Sequence, residues 1–162
     1  MKTTSLLTFA LVSALLISCN SNKSKSFDHY GVYFNSKGSS VEIKGYQFDS
    51  RTDHFQGSDL NNTISIEMKS QNEPSQIWVY SKSINDEFIL LTDLKNEEGE
   101  YSCCFNCGSY EKRPGDVCKS VDFVEKPSGK QEYRLFEATL ASGQVYCFMN
   151  KTIRVGYIFR CN

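Results

Sequence analysis

The sequence predicts an all-β fold, an antiparallel sandwich or small barrel with a C-terminal meander, braced by disulfides. Three observations carry that prediction. Aromatic residues fill 13% of the 162 positions and fall with β-branched residues into short runs between turn-forming clusters. Pro74, Pro114 and Pro127 all lie in those clusters, so none removes a ladder donor from a central strand. Seven Cys supply the bracing. With 40% apolar and 23% charged residues the chain has the make-up of one globular domain, which excludes disorder and fibrous repeats. The formal charge of -1 leaves no basic surplus for a phosphate backbone, so no nucleic-acid partner is expected.

In chain order, strands are expected at Tyr30–Phe34, Val41–Phe48, Thr63–Lys69, Gln76–Ser81, Phe88–Asp93, Tyr101–Asn106, Val121–Glu125, Tyr133–Leu140, Val145–Met149 and Ile153–Arg160. The second run loses its alternation at Gly45, which predicts a bulge. Ile64, Ile66 and Met68 alternate with Ser65 and Glu67, giving the third strand one wet face. Ile77-Trp78-Val79-Tyr80 is apolar on both faces and suits a central strand, with Trp78 and the Tyr residues read as core. From Val121 onward, turns at 126–130, 141–143 and 150–151 predict the meander. Two segments also fit helices: 84–95 behind a Ser83 cap, and 130–142 behind a Ser128/Gln131 capping box with Gly143 beyond. A strand is the reading taken for both, with α+β as the alternative class.

The chain opens with Lys2 and an apolar run from Leu6 to Ile17, the layout of a secretory signal. Such a run spans only about 18 Å as a helix, short of a bilayer core of about 30 Å. Leu16-Ile17-Ser18-Cys19 resembles the lipobox of bacterial lipoproteins. That resemblance implies cleavage after Ser18, a diacylglycerol on the Cys19 sulfur and an acyl group such as palmitate on its amine. It implies a membrane partner through the lipid and an envelope location. Asn20, where Asp would signal inner-membrane retention in some two-membrane bacteria, favours the outer membrane. An ordinary secreted protein is the alternative. Residues 1–18 are thus expected to be a signal peptide, 19–26 a lipidated tether rich in Ser, Asn and Lys, and 27–162 one β-rich domain.

Removing Cys19 leaves Cys103, Cys104, Cys107, Cys118, Cys147 and Cys161, an even set suited to three disulfides in an oxidising compartment. Adjacent Cys103 and Cys104 point to opposite strand faces and so serve different bonds. A hairpin at Asn150-Lys151 would set Cys147 opposite Arg154 or Val155, too far from Cys161, so both are expected to pair into the Cys103/Cys104/Cys107/Cys118 group. A local Cys107–Cys118 bond is also compatible with the spacing. It would constrain a loop carrying Tyr110, Lys112, Arg113 and Asp116, the leading binding-surface candidates. Cys104-x-x-Cys107 resembles one zinc knuckle, but strong ribbons need two such pairs, and no metal or cofactor is assigned.

Two His, His29 and His54, limit imidazole chemistry. Asp49, Asp53, His54 and Asp59 crowd one segment without EF-hand spacing, and read as a polar connection. No nucleophile-elbow, P-loop or zincin motif is present. The expected function is a lipid-anchored envelope binding module without catalysis, such as an inhibitor or immunity protein against an envelope-targeting hydrolase, with an envelope protein or glycan as partner. The rivals are an accessory of envelope assembly, and an enzyme using Asp49–Asp59 or the Cys104–Cys107 motif.

Overall fold

The computed structural model describes residues 27–36, 39–51, 53–59, 61, 63–68, 73–97, 99–103 and 118–162. Its regular elements are strands: β1 (Gly31–Ser36), β2 (Ser39–Ile43), β3 (Gly45–Asp49), β4 (His54–Phe55), β5 (Ile64–Ile66), β6 (Ser75–Tyr80) and β7 (Phe88–Thr92). There follow β8 (Lys95–Glu97), β9 (Glu100–Ser102), β10 (Lys119–Val121), β11 (Phe123–Lys126), β12 (Tyr133–Ala138), β13 (Val145–Asn150) and β14 (Val155–Cys161). The fold is all-β, as the alternation predicts.

The first sheet has five antiparallel strands in the order β11-β12-β6-β1-β2. Its centre is β6, whose burial alternates along the strand. Ile77 aligns with Phe34 and Phe136 on the inner face, while Trp78 aligns with Tyr33 and Leu135 on the outer face. The second sheet has nine strands in the order β10-β7-β13-β14-β3-β4-β9-β8, with β5 lying parallel to β14. Between the sheets lies one core, in which Phe34 meets Phe159 at 5.4 Å and Phe136 meets Phe148 at 5.2 Å between ring centroids. Full burial of each such ring contributes roughly 1.5–3 kcal/mol.

The second sheet curls over its far face as a half-barrel around a separate core that includes Tyr46, Phe48, Phe55, Leu91, Cys147, Met149 and Ile158. This explains β13, where every residue from Tyr146 to Asn150 is buried. Tyr146 and Phe148 enter the core between the sheets, and Cys147 and Met149 enter the core inside the curl. Two faces that both meet a core demand apolar residues at successive positions.

Several local expectations are corrected. The run Val41–Phe48 is two strands: β2 belongs to the first sheet and β3 to the second. The corner between them is Lys44, and Gly45 is not a bulge but opens β3 opposite Tyr157, where a Cβ would lie 2.7 Å from Val155 Cγ1. The region around Val121–Glu125 divides in the same way at Asp122, because β10 pairs β7 and β11 pairs β12. Strands that change sheet in mid-run are a known way to turn the corner between packed sheets. The expected meander is two hairpins in two sheets: β11–β12 closes through 127–132, β13–β14 through 151–154, and 139–144 crosses over.

Neither possible helix forms. Segment 84–95 holds β7 and segment 130–142 holds β12. Leu90 and Leu91 are needed in different cores, which only a period of two allows. Ser83 donates to Asp86, and Ser128 to the Lys130 and Tyr133 carbonyls, so both hydroxyls hold loops. The short β4 and the short, polar β8 escaped periodicity because two or three residues contain no period.

Candidate functional site

Of the predicted cysteine set, Cys103 and Cys118 are bonded, with their Cα atoms 5.6 Å apart. This replaces the alternative Cys107–Cys118 bond and removes two thiolates from the zinc-knuckle set. Cys147 and Cys161 are free and buried, against the expectation that they join the central group. Cys103 and Cys118 take each other as partners: Cys161 lies in the other core, between the sheets, whereas Cys147 shares the inner core with that bond and faces Ile158. Burial pushes both thiols up, Cys161 to about 12. Cys19, Cys104, Cys107, Tyr110, Lys112, Arg113 and Asp116 lie outside the described residues.

The acidic segment is built into turns. Asp49 accepts from the Arg51 amide at 2.8 Å and from Gln56 Nε2 at 3.4 Å, and Asp59 accepts from the Asn61 amide at 2.7 Å. Asp53 has a left-handed φ of 59°, and its backbone pairs with Asp49 and Cys103. Burial raises its carboxyl above the usual range, partly offset by His54. His54 lies 3.5 Å from Glu97 and 3.8 Å from Glu100. Among the described residues, no three His, Cys, Asp or Glu are grouped to hold a metal.

A different surface gathers polar and aromatic groups, at the end of the sandwich where β1 begins. One hollow of about 450 Å³ is lined by Tyr30, Glu42, Lys44, Ile64 and Tyr157, among others. A smaller one of about 180 Å³ shares Tyr30 and Tyr157 and adds Tyr80, Asp86, Asn150 and Ile153. Tyr30 is 44% exposed and Ile153 52%, so the rim is open to a partner. Tyr157 reaches this mouth because β14 directs Phe159 and Cys161, at the same parity, into the core between the sheets. Its phenol is held above the ordinary range by burial, then by the carboxylates of Asp86 and Glu42.

Asp86 is itself buried. Ser83 Oγ donates to one carboxylate oxygen at 2.7 Å and Asn150 Nδ2 to the other at 2.8 Å. Asn150 Oδ1 in turn accepts from the amides of Thr152 and Ile153, so the hairpin turn and the β6–β7 connection are fixed together. At the larger hollow, Glu42 lies 2.8 Å from His29 Nε2. Lys44 Nζ sits 5.1 Å from the centroid of Tyr46.

Beside the cleft, the outer face of the first sheet carries a third apolar cluster of Phe27, Tyr33 and Tyr133, with Trp78 and Tyr80 packed on it. Trp78 and these tyrosines are therefore an outer cluster and not part of the main core. Phe27 stacks on Tyr33 at 4.0 Å, and Tyr33 donates to the His29 carbonyl at 2.7 Å, which seats the residues before β1 on this face. The period-two spacing of Trp78 and Tyr80 was the available signal for the outer face. Nothing local linked Tyr30 to Tyr157.

Comparison of the chain with protein-family models, curated proteins and solved structures finds no match. The cleft offers aromatic walls and a few convergent polar groups on a rigid frame, the make-up of a recognition surface.

Proposed function

We propose that the chain is a lipid-anchored binding module of a bacterial envelope, an inhibitor or immunity protein against an envelope-attacking hydrolase, with the cleft at Tyr30 and Tyr157 as its contact surface. The observation that carries this reading is the seat of Phe27. Only the stretch from Cys19 to Phe27 separates the lipobox cysteine from a residue stacked on the sheet, beside the cleft. Fully extended, that stretch spans about 29 Å. A lipid on Cys19 would hold the cleft within that reach of the bilayer, at high effective concentration toward anything acting there. The Cys103–Cys118 bond supports the same reading, because disulfides persist in exported proteins.

The test has two readouts. Labelled palmitate should enter the wild-type chain and be lost in Cys19→Ala. Cells displaying the chain should resist an added cell-wall hydrolase better than cells making Cys19→Ala. Label retained in Cys19→Ala would remove the anchor, and equal lysis of both strains would remove the protective role.

A further inference from the structure

We propose that the smaller hollow, between Tyr30, Tyr80 and Tyr157 with Asp86 in its lining, receives one cationic side chain, lysine or arginine, of a protein partner. The inference deepens the binding-module reading and takes its partner from it, but the cation site stands on its own geometry.

Size comes first. At about 180 Å³ the hollow is below the roughly 300–1,000 Å³ of small-molecule sites and suits a single long side chain. Charge comes second. Asp86 is the sole charged residue among those described as lining it, and it is 8% exposed. Its carboxylate is met by the neutral donors of Ser83 and Asn150. Neighbouring Arg134 donates to the Asp86 carbonyl at 2.6 Å, while its Nε and Nη2 each donate to Glu125 at 2.8 Å. That guanidinium is paired with Glu125, and the Asp86 carboxylate acts on it only through space, as the smallest of its influences. A buried carboxylate held by neutral donors gains from an incoming cation and repels an anion.

The walls agree. Tyrosine rings attract cations through their faces. Tyr30 already does so: Lys82 Nζ lies 5.4 Å from its centroid at the rim. Tyr80, at the end of β6, packs 4.6 Å from Tyr30, and Tyr157 adds a third phenol that feels both Asp86 and Glu42. Among the other charges nearby, Glu87 pairs with Lys151 at 3.0 Å and Glu132 acts on Tyr80, while in the larger hollow Glu42 faces His29 and Lys44 lies over Tyr46.

The experiment titrates the full chain with n-butylammonium, and in parallel with n-butanol as a neutral probe of the same shape, following tyrosine ring signals by NMR. The ammonium should shift the signals of Tyr30, Tyr80 and Tyr157 saturably, and the alcohol should not. Tyr30→Ala, at an exposed position that leaves both cores intact, should weaken the ammonium response about threefold. Equal shifts from the alcohol, no saturable response, or a response indifferent to Tyr30→Ala would each overturn the cation site. The titration requires neither anchor nor partner, so its failure is separate from failure of the palmitate and hydrolase tests.

Discussion

Cys103, which follows β9, is bonded to Cys118, which precedes β10, and so one covalent link joins strands that lie near opposite ends of the second sheet. The sheet order separates β9 from β10 by β7, β13, β14, β3 and β4. The bond closes the curl around the core that holds Phe55 and Met149.

Opening that link should cost about 3 kcal/mol, the chain-entropy expectation for a loop of 15 residues. Cys103→Ser with Cys118→Ser should lower the urea midpoint accordingly. Hydrogen exchange should rise first in β8, β9 and β10, while β1, β6 and β12 keep their protection. An unmoved midpoint would mean that the inner core closes the sheet unaided.

Gly156 is where β14 passes beneath Phe55. A Cβ there would overlap the Phe55 ring and lie 2.8 Å from Cys147 Sγ. Gly156→Ala should destabilise by roughly 1–3 kcal/mol through overpacking, seen as a lower thermal midpoint. Retention of wild-type stability would show that Phe55 can move aside.

Iodoacetamide at pH 8 should leave Cys147 and Cys161 unlabelled in the native chain and label both in denaturant, read by peptide mass spectrometry. The thiolate reacts, and burial keeps both protonated. A raised folded pKa binds the proton more tightly than the unfolded chain does. The stability from protonated Cys161 is therefore complete below the ordinary thiol value of 9.0 and is lost as pH climbs through about 12. Rapid native labelling would contradict the burial.

Arg134 lies over Phe88 and Phe136, at 5.1 and 5.0 Å from their centroids, and donates to the Asp86 carbonyl. Arg134→Lys should cost about 1–2 kcal/mol, because an ammonium lacks the planar fork. Glu125 adds little to that figure, since its half-exposed carboxylate is screened by water. Its pKa is lowered, chiefly by the Arg134 hydrogen bond, so its contribution is present above the ordinary Glu range and lost as pH falls through the lowered value. Denaturant midpoints of both proteins between pH 7 and 3 test this. Convergence of the two curves at acid pH would be partial, because the ring stacking and the Asp86 bond do not titrate.

Phe27→Ala should unseat the residues before β1 and expose Trp78, whose ring lies 6.4 Å away. Trp78 is the sole Trp in the chain, so its emission should shift to the red. The accompanying loss should be about 2 kcal/mol, at the low end for a buried aromatic because one side of the cluster faces solvent. Unchanged emission would place Phe27 off this face.

The strands were legible where aromatic and β-branched residues run over five or more positions, as at Gln76–Ser81, Tyr133–Leu140 and Val145–Met149. The hairpin turn was legible at Asn150-Lys151, but not its full span, and the real register sets Cys147 opposite Ile158. That shift arises because Asn150 still pairs with Val155, leaving 151–154 as the turn. The loss of alternation at Gly45 looked like a bulge because a strand that bends and a strand that changes sheet disturb alternation in the same way. Of the cleft, the aromatic residues were visible and their meeting was not.

Local chemistry in the sequence was sufficient for the class of fold: alternation, proline placement and turn residues act over a few positions and need no distant partner to be read. The partner of Cys118, the separate cores for Cys147 and Cys161, and the convergence of Tyr30, Tyr80, Asp86 and Tyr157 were decided by the tertiary structure alone. They depend on which face of each strand is buried and on which strands become neighbours across more than a hundred positions, and the packing of two sheets selects both only when the whole chain is folded.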